Sequence, residues 1–488
     1  NSLDYNLPYD KQLRRILPYI VLFELGKIFD GSKICHQGNI FIAQNNKKIL
    51  ISDIKNLDFK QQNQKNCIDL DFKKNYFYIL GYSINEKDNL IIKTEYNFKI
   101  LLLKFLKYFL TILIIIIFGY ANFKKNRIIY PLIYLVSSIS TIILTYIRDP
   151  NLLFGLRFYR GGADGLLHYS HGRDIVQNLN NYNFFEALKG GEEIFYFMPG
   201  LRYFSSINNL LFGETTYGYL ISCTFIPLII YLIFEKLINK KIAIILFISF
   251  IFIPIFENMG FGFFNYIWQF ARHHAESLSI LFLLYAFYLF ISITKKLDKN
   301  KPIFLLGLFL SMSVFLRPNF LPTTFIFFTC SFFILAFRRD YKNLILNILG
   351  YSLIFISLIH NLYFGNSAIL FTKADANFKL DLYSFFNGFF SLFTLDFNNS
   401  NLQILKSQLS LWNPLYNLHR VIILILITFM IFYKKQSLII YTLFLCIVSQ
   451  HGLLLLSHPS SRYAYLAWLL TFIMFVYYLF NFYLKKLK

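Results

Sequence analysis

Charged side chains are scarce in this sequence of 488 residues, making up 15% of it, whereas hydrophobic residues make up 56%. A chain this apolar is neither intrinsically disordered nor an ordinary soluble protein, and its composition is typical of a polytopic membrane protein. Acidic residues are rarer than basic ones: the sequence has 26 Asp and Glu and 48 Lys and Arg, which gives a formal net charge of +22. Because most basic residues form short clusters between apolar runs, we interpret them as membrane anchors and predict no nucleic-acid partner.

Cysteine is also scarce, and internal repeats and heptads are lacking. None of the five cysteines has the spacing of a metal-ligand set. Cys223, Cys330 and Cys446 lie in apolar runs, where a small core residue is the simplest interpretation. Cys35 and Cys67 share the N-terminal region and are either free thiols or a disulfide. The sequence therefore predicts no resident cofactor and leaves a divalent metal open.

Apolar runs of the length that a membrane-spanning helix needs, about 20 residues, begin at residue 100. We predict a mainly α fold over residues 100–488, a polytopic membrane bundle of about eleven transmembrane helices. The predicted spans cover residues 100–120, 130–147, 217–234, 242–256, 277–293, 303–316, 321–337, 344–362, 419–433, 438–456 and 463–484.

Clusters of lysine and arginine mark every second connection between these spans. They cover residues 124–127, 236–241, 295–301, 338–342, 434–435 and 485–488. The positive-inside rule places them in the cytoplasm, so the alternate connections, which include the long loops 148–216 and 363–418, lie outside it. We expect a multi-pass protein of the bacterial inner (plasma) membrane whose active site faces away from the cytoplasm.

Residues 1–99 differ in kind from the rest of the chain. The segments GNIFIAQNNKKILISDI and KNYFYILGYSINEKDNLIIKTEYN combine short β-prone runs with Asn-rich turns, which predicts a small β-rich domain. This domain is extracytoplasmic, because the first span must end at the basic cluster 124–127. Its export requires an upstream membrane segment, which we expect to precede residue 1.

The densest group of titratable side chains is RGGADGLLHYSHGRDIVQNL, residues 160–179. Asp164, His168 and His171 are spaced i, i+4 and i+7 along a predicted amphipathic helix, so they share one face. One interpretation is a helix cap at Asp164 beside two surface histidines. A second is a metal site, although His-x-x-His is a weak signal. The third is a general base at Asp164, with the histidines binding substrate.

The following segment, GGEEIFYFMPGLRYFSSINNLLFGETTYGYL, adds further polar candidates before the next span. Glu192 and Glu193 follow a glycine pair, which is typical of either a solvated turn or a flexible substrate-binding loop. We take Glu193 as the second catalytic candidate, with Glu192 and Arg202 as substrate-binding candidates. The segment 201–211 is amphipathic, which predicts a helix along the membrane interface.

Several arginines lie at predicted outer ends of the spans, the side that the positive-inside rule disfavours. They are Arg272 in ARHHAES, Arg317 in FLRPNFLP, Arg420 after NPLYNLH and Arg462 in HPSSRYAY. One arginine of this kind is an ordinary interfacial anchor. Several together are the residues that a lipid-linked phosphate requires, since a guanidinium binds phosphate oxygens in a bidentate manner.

The order of these segments resembles the GT-C superfamily of membrane glycosyltransferases, especially its protein-mannosyltransferase and aminoarabinose-transferase-like branch. An acidic first loop precedes MPGLRYFSSINNLLFGETTYGYL, ARHHAESLSILFLLYAF, SVFLRPNFLP and HPSSRYAYLAW, and the likeness covers residues 150–480. The resemblance implies transfer of a sugar, with inversion, from a polyprenyl-phosphate donor to a lipid, glycan or protein acceptor outside the cytoplasm. It also implies that the first-loop carboxylate, here Asp164, is the base.

Two features depart from the family pattern. The family often has a second acidic residue directly after the first, whereas Gly165 follows Asp164 here. This difference leaves the acidic role shared with Glu192, Glu193 or Asp174. The acidic loop of the family also follows its first helix, whereas two predicted spans and a β-rich domain come first here.

In the expected mechanism, Asp164 takes the proton of an acceptor hydroxyl, whose oxygen attacks the anomeric carbon from the face opposite the phosphate. Arg317 and Arg462, together with Arg272, stabilise the charge that develops on the leaving phosphate. One alternative is a polysaccharide polymerase or ligase with essential residues in loop 363–418. The other is a lipid-linked oligosaccharide flippase, but transporters place charges at mid-membrane and contain repeats, neither of which this sequence shows.

Overall fold

The computed structural model describes two compact units, which comprise residues 1–125 with 176–188 and residues 126–175 with 189–488. Within them, the residues whose structure is described are 19–24, 33–37, 40–45, 60–62, 67–69, 76–83, 91–95, 98, 101–102, 105–106, 109, 129–148, 152–153, 163–190, 199–213, 215–253, 260–295, 303–366, 387, 390, 394, 415–433, 435–456 and 461–486.

Between residues 19 and 95, the described segments are extended strands rich in β-branched and aromatic residues, which favour this conformation. The strands are β1 Tyr19–Glu24, β2 Lys33–Gln37, β3 Ile40–Asn45, β4 Lys60–Gln62, β5 Cys67–Asp69, β6 Tyr76–Ser83 and β7 Ile91–Glu95. All of their pairings are antiparallel; one sheet has the order β1-β6-β3-β4 and the other β5-β2-β7. Because most residues before 99 lie outside the described segments, the β-rich domain stays a prediction.

The two N-terminal cysteines are directly opposite each other in the second sheet. Cys35 in β2 and Cys67 in β5 are paired residues of the antiparallel register. Opposite residues of such a ladder have Cα atoms about 4.5–5.5 Å apart, which is within the range that a disulfide spans. The backbone register is therefore compatible with the disulfide, one of the two alternatives that the sequence leaves open.

After residue 128, the described secondary-structure elements are helices. Two 3₁₀ turns, Pro318–Phe320 and Leu353–Phe355, join consecutive helices. The helices are α1 Ile129–Arg148, α2 Ala163–Asn180, α3 Phe184–Lys189, α4 Pro199–Phe212, α5 Tyr217–Leu237, α6 Lys240–Phe252, α7 Phe263–Ala271, α8 Ala275–Thr294, α9 Ile303–Leu316, α10 Leu321–Phe337, α11 Tyr341–Ser352, α12 Ile356–Gly365, α13 Leu418–Tyr433, α14 Leu438–Leu456 and α15 Ser461–Lys486.

Six of these helical segments are long and apolar enough to cross a membrane, consistent with a multi-pass membrane protein. Three further apolar helices, 303–316, 418–433 and 438–454, are shorter. The predicted span 100–120 lies largely outside the described residues, so the number of eleven spans stays a prediction. The six candidate spans are Ile129–Arg148, Tyr217–Leu237, Ala275–Thr294, Pro318–Phe337, Tyr341–Gly365 and Tyr463–Asn481.

Helix α8 is the most buried of the candidate spans. Inside the protein, 78% of its apolar stretch is buried, compared with 28% for α1. An all-round apolar helix of this kind belongs at the centre of a bundle. Its buried face carries Phe287 and Phe290, which pack edge-on or tilted against Phe327 of α10. The exposed apolar side chains of α1, which include Leu132 and Ile143, suit contact with lipid.

Basic residues from alternate connections meet at one end of the bundle, which we call the basic end. Arg338, after α10, donates hydrogen bonds of 2.7 and 2.9 Å to the carbonyl oxygens of Ile293 and Thr294 at the end of α8. Lys295 donates to the carbonyl of Lys236 at the end of α5. These contacts satisfy helix C-terminal carbonyls with cations, which the helix dipole also favours.

Helices α9 and α11 approach each other closely at two glycines. A Cβ on Gly307 would lie 2.6 Å from the backbone nitrogen of Tyr351, and one on Gly350 would lie 2.8 Å from that of Leu308. Small residues allow such backbone approach in membrane bundles, where packing rather than water exclusion drives association.

We predict that Gly307→Ala and Gly350→Ala each destabilise the protein by about 1–3 kcal/mol, because the methyl group forces two helices apart. The matched control is Gly452→Ala in α14, where a Cβ meets no atom of the described residues within 4 Å and alanine is the better helix former. Thermal unfolding in detergent measures the effect. Equal melting temperatures for all three variants would contradict the predicted close contact.

Candidate active site

Helix α2 begins at Ala163, so Asp164 is a residue of its first turn rather than the residue before the helix. The side chain of Asp164 lies outside the described residues. His168 and His171, which share its face of the helix, are buried at 7% and 6% exposure. The interpretation of these two histidines as surface residues is therefore wrong, because α2 packs this face against α4.

Gly165, the residue after Asp164, lies against the turn between α7 and α8. A Cβ at this position would overlap the carbonyl oxygen of Arg272 and would lie 3.7 Å from Cβ of His273. Only glycine fits such an approach of two backbones. A side chain, including a second acidic one, therefore does not fit directly after Asp164.

The turn between α7 and α8 is a Schellman motif with an unusual residue. His273 has a left-handed backbone (φ +59°), and the amides of His273 and His274 donate 3.0 Å hydrogen bonds to the carbonyls of Phe270 and Gln269. Glycine usually occupies this position, because a side chain there costs about 1–2 kcal/mol. The His273 side chain is fully buried, with Nε2 3.2 Å from the Tyr219 hydroxyl.

Two arginines stack on one indole at the same turn. The guanidinium carbons of Arg272 and Arg148 each lie 3.8 Å from the ring centroid of Trp268. Two cations this close to one centroid occupy opposite faces of the ring, so the indole separates charges that would otherwise repel each other. Arg148 was not among the predicted site residues, although an arginine ending a span on the side that disfavours cations was a usable signal.

Arg317, which directly follows α9, contacts residues of two other helices, α8 and α15. Its Nη2 lies 3.2 Å from Oε1 of Glu276 in α8, and its guanidinium lies 4.5 Å over the ring of Tyr463 in α15. The Glu276 side chain is 2% exposed and that of Arg317 is 18% exposed. We call this end of the bundle, with Arg272, Glu276, Arg317 and Tyr463, the polar end; it is opposite the basic end along α8.

Arg462 is the second residue of α15, next to Tyr463, and its side chain lies outside the described residues. Its backbone is nevertheless brought to the polar end by the contact between Tyr463 and Arg317. Glu192 and Glu193 lie wholly outside the described residues. The structure thus brings together Arg272, Arg317 and the helix of Asp164, and leaves the positions of the two glutamates as predictions.

Arg202 is fully buried in α4. Its Nη1 donates a 2.8 Å hydrogen bond to the carbonyl of Gly190, which has a left-handed backbone (φ +83°). A Cβ on Gly172 of α2 would lie 2.5 Å from Cβ of Ser205 in α4, so glycine allows these two helices to approach closely. Arg202 therefore fixes the chain two residues before Glu192, a structural contact that accompanies the substrate-binding role predicted from the sequence.

The interface between α2 and α4 is polar despite its burial. Within the described part of the chain, both ring nitrogens of His171, the Ser205 hydroxyl and the Asn209 amide have no hydrogen-bond partner. Burial and the nearby Arg202 guanidinium lower the pKa of His171 to about 4, so the ring is neutral at physiological pH. Burial raises the pKa of the neighbouring Tyr203 to about 12, opposed by Arg202.

A hydrogen-bonded chain joins the turn before α13 to α14 and α15. Thr471 donates its only proton to the carbonyl of Ala467 (2.7 Å), so its oxygen accepts from Nε2–H of His451 (3.0 Å). Nδ1 of His451 then accepts from the Tyr416 hydroxyl, also at 3.0 Å. This chain fixes the His451 tautomer. Trp468, whose ring centroid lies 4.8 Å from that of His451, closes the cluster.

A group of three or more His, Cys, Asp or Glu side chains able to hold a metal is not found among the described residues. Comparison of the chain with family models, with characterised proteins and with solved structures gives no match.

We predict that His171 makes the protein less stable as the pH falls from about 6.5 toward 4. The unfolded histidine takes up a proton near pH 6.5 while the folded one, with its lowered pKa, does not, so protonation favours unfolding. The loss is up to about 3 kcal/mol. His171→Phe should remove this part of the pH dependence, measured by thermal unfolding at pH 7.5 and pH 5. His419→Phe, at an exposed histidine, is the control; if both variants keep the wild-type slope, His171 is not the source.

Proposed function

We propose that this protein is an integral-membrane glycosyltransferase that moves a sugar from a polyprenyl-phosphate donor to an extracytoplasmic acceptor with inversion. The observation that carries the proposal is the packing of the first turn of α2, with Asp164, on the turn that bears Arg272. This contact brings the backbone of Asp164 to the turn of Arg272, at one end of an apolar bundle. Arg317 lies at the same end, where the head group of a lipid substrate would arrive.

The proposed reaction uses Asp164 as the base for the acceptor hydroxyl. The acceptor oxygen forms a bond to the anomeric carbon while the bond from that carbon to the phosphate oxygen breaks, and the phosphate leaves with the electron pair. The hydroxyl proton goes to Asp164. A divalent metal at the leaving phosphate remains compatible with the proposal.

The arginines gathered at the polar end support the proposal that it binds phosphate. Arg148 and Arg272 hold two permanent positive charges around Trp268, on the side that membrane topology disfavours. The negative charge of Glu276 partly neutralises Arg317. This ion pair holds the guanidinium in a fixed orientation and leaves only part of its charge to act on a substrate. Charge developing on a leaving phosphate is stabilised most by groups that are already oriented before the reaction.

The proposal includes the orientation of the chain. The polar end, the loops 148–216 and 363–418 and the β-rich residues 1–99 lie outside the cytoplasm of a bacterial inner membrane, and the basic end lies inside. The acceptor is a lipid, a glycan or a protein. A polymerase or ligase would instead use the charges of loop 363–418, which is almost entirely outside the described residues.

We predict that Asp164→Asn lowers the transfer rate by about 10²- to 10⁴-fold while donor affinity changes little, as expected when a base is removed. Glu193→Gln is the matched comparison, with the rate of transfer and donor affinity measured separately. If the Asn variant keeps near-normal turnover and the Gln variant is inactive, Glu193 is the base and Asp164 serves only the helix terminus.

We predict that Arg317→Met lowers stability by about 3–5 kcal/mol, because it removes the ion pair that Arg317 forms with the buried Glu276 carboxylate. The double variant Arg317→Met with Glu276→Gln should regain most of this stability, since both charges are then removed. If Arg317 also binds the donor phosphate, the double variant recovers stability and not transfer. Recovery of both would show that the ion pair is structural only. Arg317→Lys should restore transfer in part, because a point charge cannot make the bidentate contact.

A further inference from the structure

His273 is held in a costly backbone conformation although glycine would form the same turn. The Schellman motif that ends α7 places residue 273 in the left-handed region, where glycine is the preferred residue. Residues held in such strained backbone conformations are found most often at functional sites. The ring of His273 is fully buried, so its contacts, rather than solvent exposure, must explain a histidine here.

The contacts of the His273 ring tie two helices directly to this turn, and a third helix is joined through Tyr219. The Tyr219 hydroxyl at the start of α5 lies 3.2 Å from Nε2, and the two ring centroids are 4.6 Å apart in an edge-to-face arrangement. Tyr169 of α2 meets the same imidazole edge-on at 5.9 Å between centroids. Phe204 of α4 packs in turn on Tyr219 at 5.5 Å.

The first turn of α2 rests on this turn through Gly165. A Cβ on Gly165 would overlap the carbonyl of Arg272, the residue that precedes His273. Because the contact is between two backbones, a displacement of the turn moves the backbone of Asp164, the neighbouring residue, by a similar amount. Tyr169, one turn further along α2, is the second point where His273 holds the same helix.

We propose that His273 is a positioning residue: its left-handed backbone and its hydrogen bond to Tyr219 fix the turn on which the first turn of α2, and with it Asp164, is placed. The inference rests on the proposed function, in which Asp164 is the base. A base that is misplaced by about 1 Å loses on the order of 10²-fold in rate while substrate binding is largely kept.

The test uses the full chain in lipid nanodiscs and two variants. Tyr219→Phe removes only the hydrogen bond, and His273→Gly keeps the left-handed turn while removing the ring. Hydrogen exchange is followed at the amides of residues 167–170, which in a helix bond to the carbonyls of residues 163–166. Each variant should speed exchange there about 3- to 10-fold, the value of one hydrogen bond. Their combination should add little, because both remove the same contact.

The matched control is Tyr351→Phe, which removes a buried tyrosine hydroxyl 3.3 Å from Thr324, between α10 and α11. This control should leave exchange at residues 167–170 unchanged. Transfer is measured with a set of polyprenyl-phosphate hexoses and pentoses as donors. The two variants should lower kcat about 10- to 100-fold and change KM for the donor less than about 3-fold.

Three results would overturn the proposal. They are unchanged exchange at residues 167–170 in both variants, faster exchange there in the control as well, and faster exchange with unchanged kcat. If the wild-type protein turns over none of the donors, the proposed function fails, while the exchange measurement still decides whether His273 holds α2.

Discussion

The ion pair between Glu276 and Arg317 is the contact on which the polar end depends. A carboxylate buried in an apolar bundle is tolerated only with a partner close by, since an unpaired charge there is very costly. The pair fixes the start of α8 relative to the end of α9, and the Arg317–Tyr463 contact adds the start of α15. Three separated sequence segments therefore meet at one place.

Close backbone contacts hold helices together in the apolar interior and at the candidate site. Gly307 and Gly350 bring α9 and α11 together, and Gly165 brings α2 onto the turn at Arg272. In each case the absence of a side chain allows the contact, so the sequence marks it only as a glycine. The position of Asp164 thus depends on the residue beside it as much as on its own chemistry.

Much of the helical organisation could be predicted from apolar runs, because length and hydropathy are properties of the local sequence. The predicted spans 130–147, 217–234 and 277–293 fall within described helices, and the membrane class follows from them. The buried state of His168 and His171 was not predictable. Their spacing is that of a polar face, and only the packing of α2 against α4 shows that this face is covered.

By itself, the sequence determined that this is an apolar, multi-pass membrane chain and that its alternate connections are basic, since hydropathy and charge are carried by each segment alone. The tertiary structure decided which polar residues meet. The pairing of Glu276 with Arg317, the stacking of Arg148 on Trp268 and the contact of Tyr219 with His273 join residues that are about 40 to 120 positions apart. Such contacts arise from how the helices pack, which no local sequence pattern records.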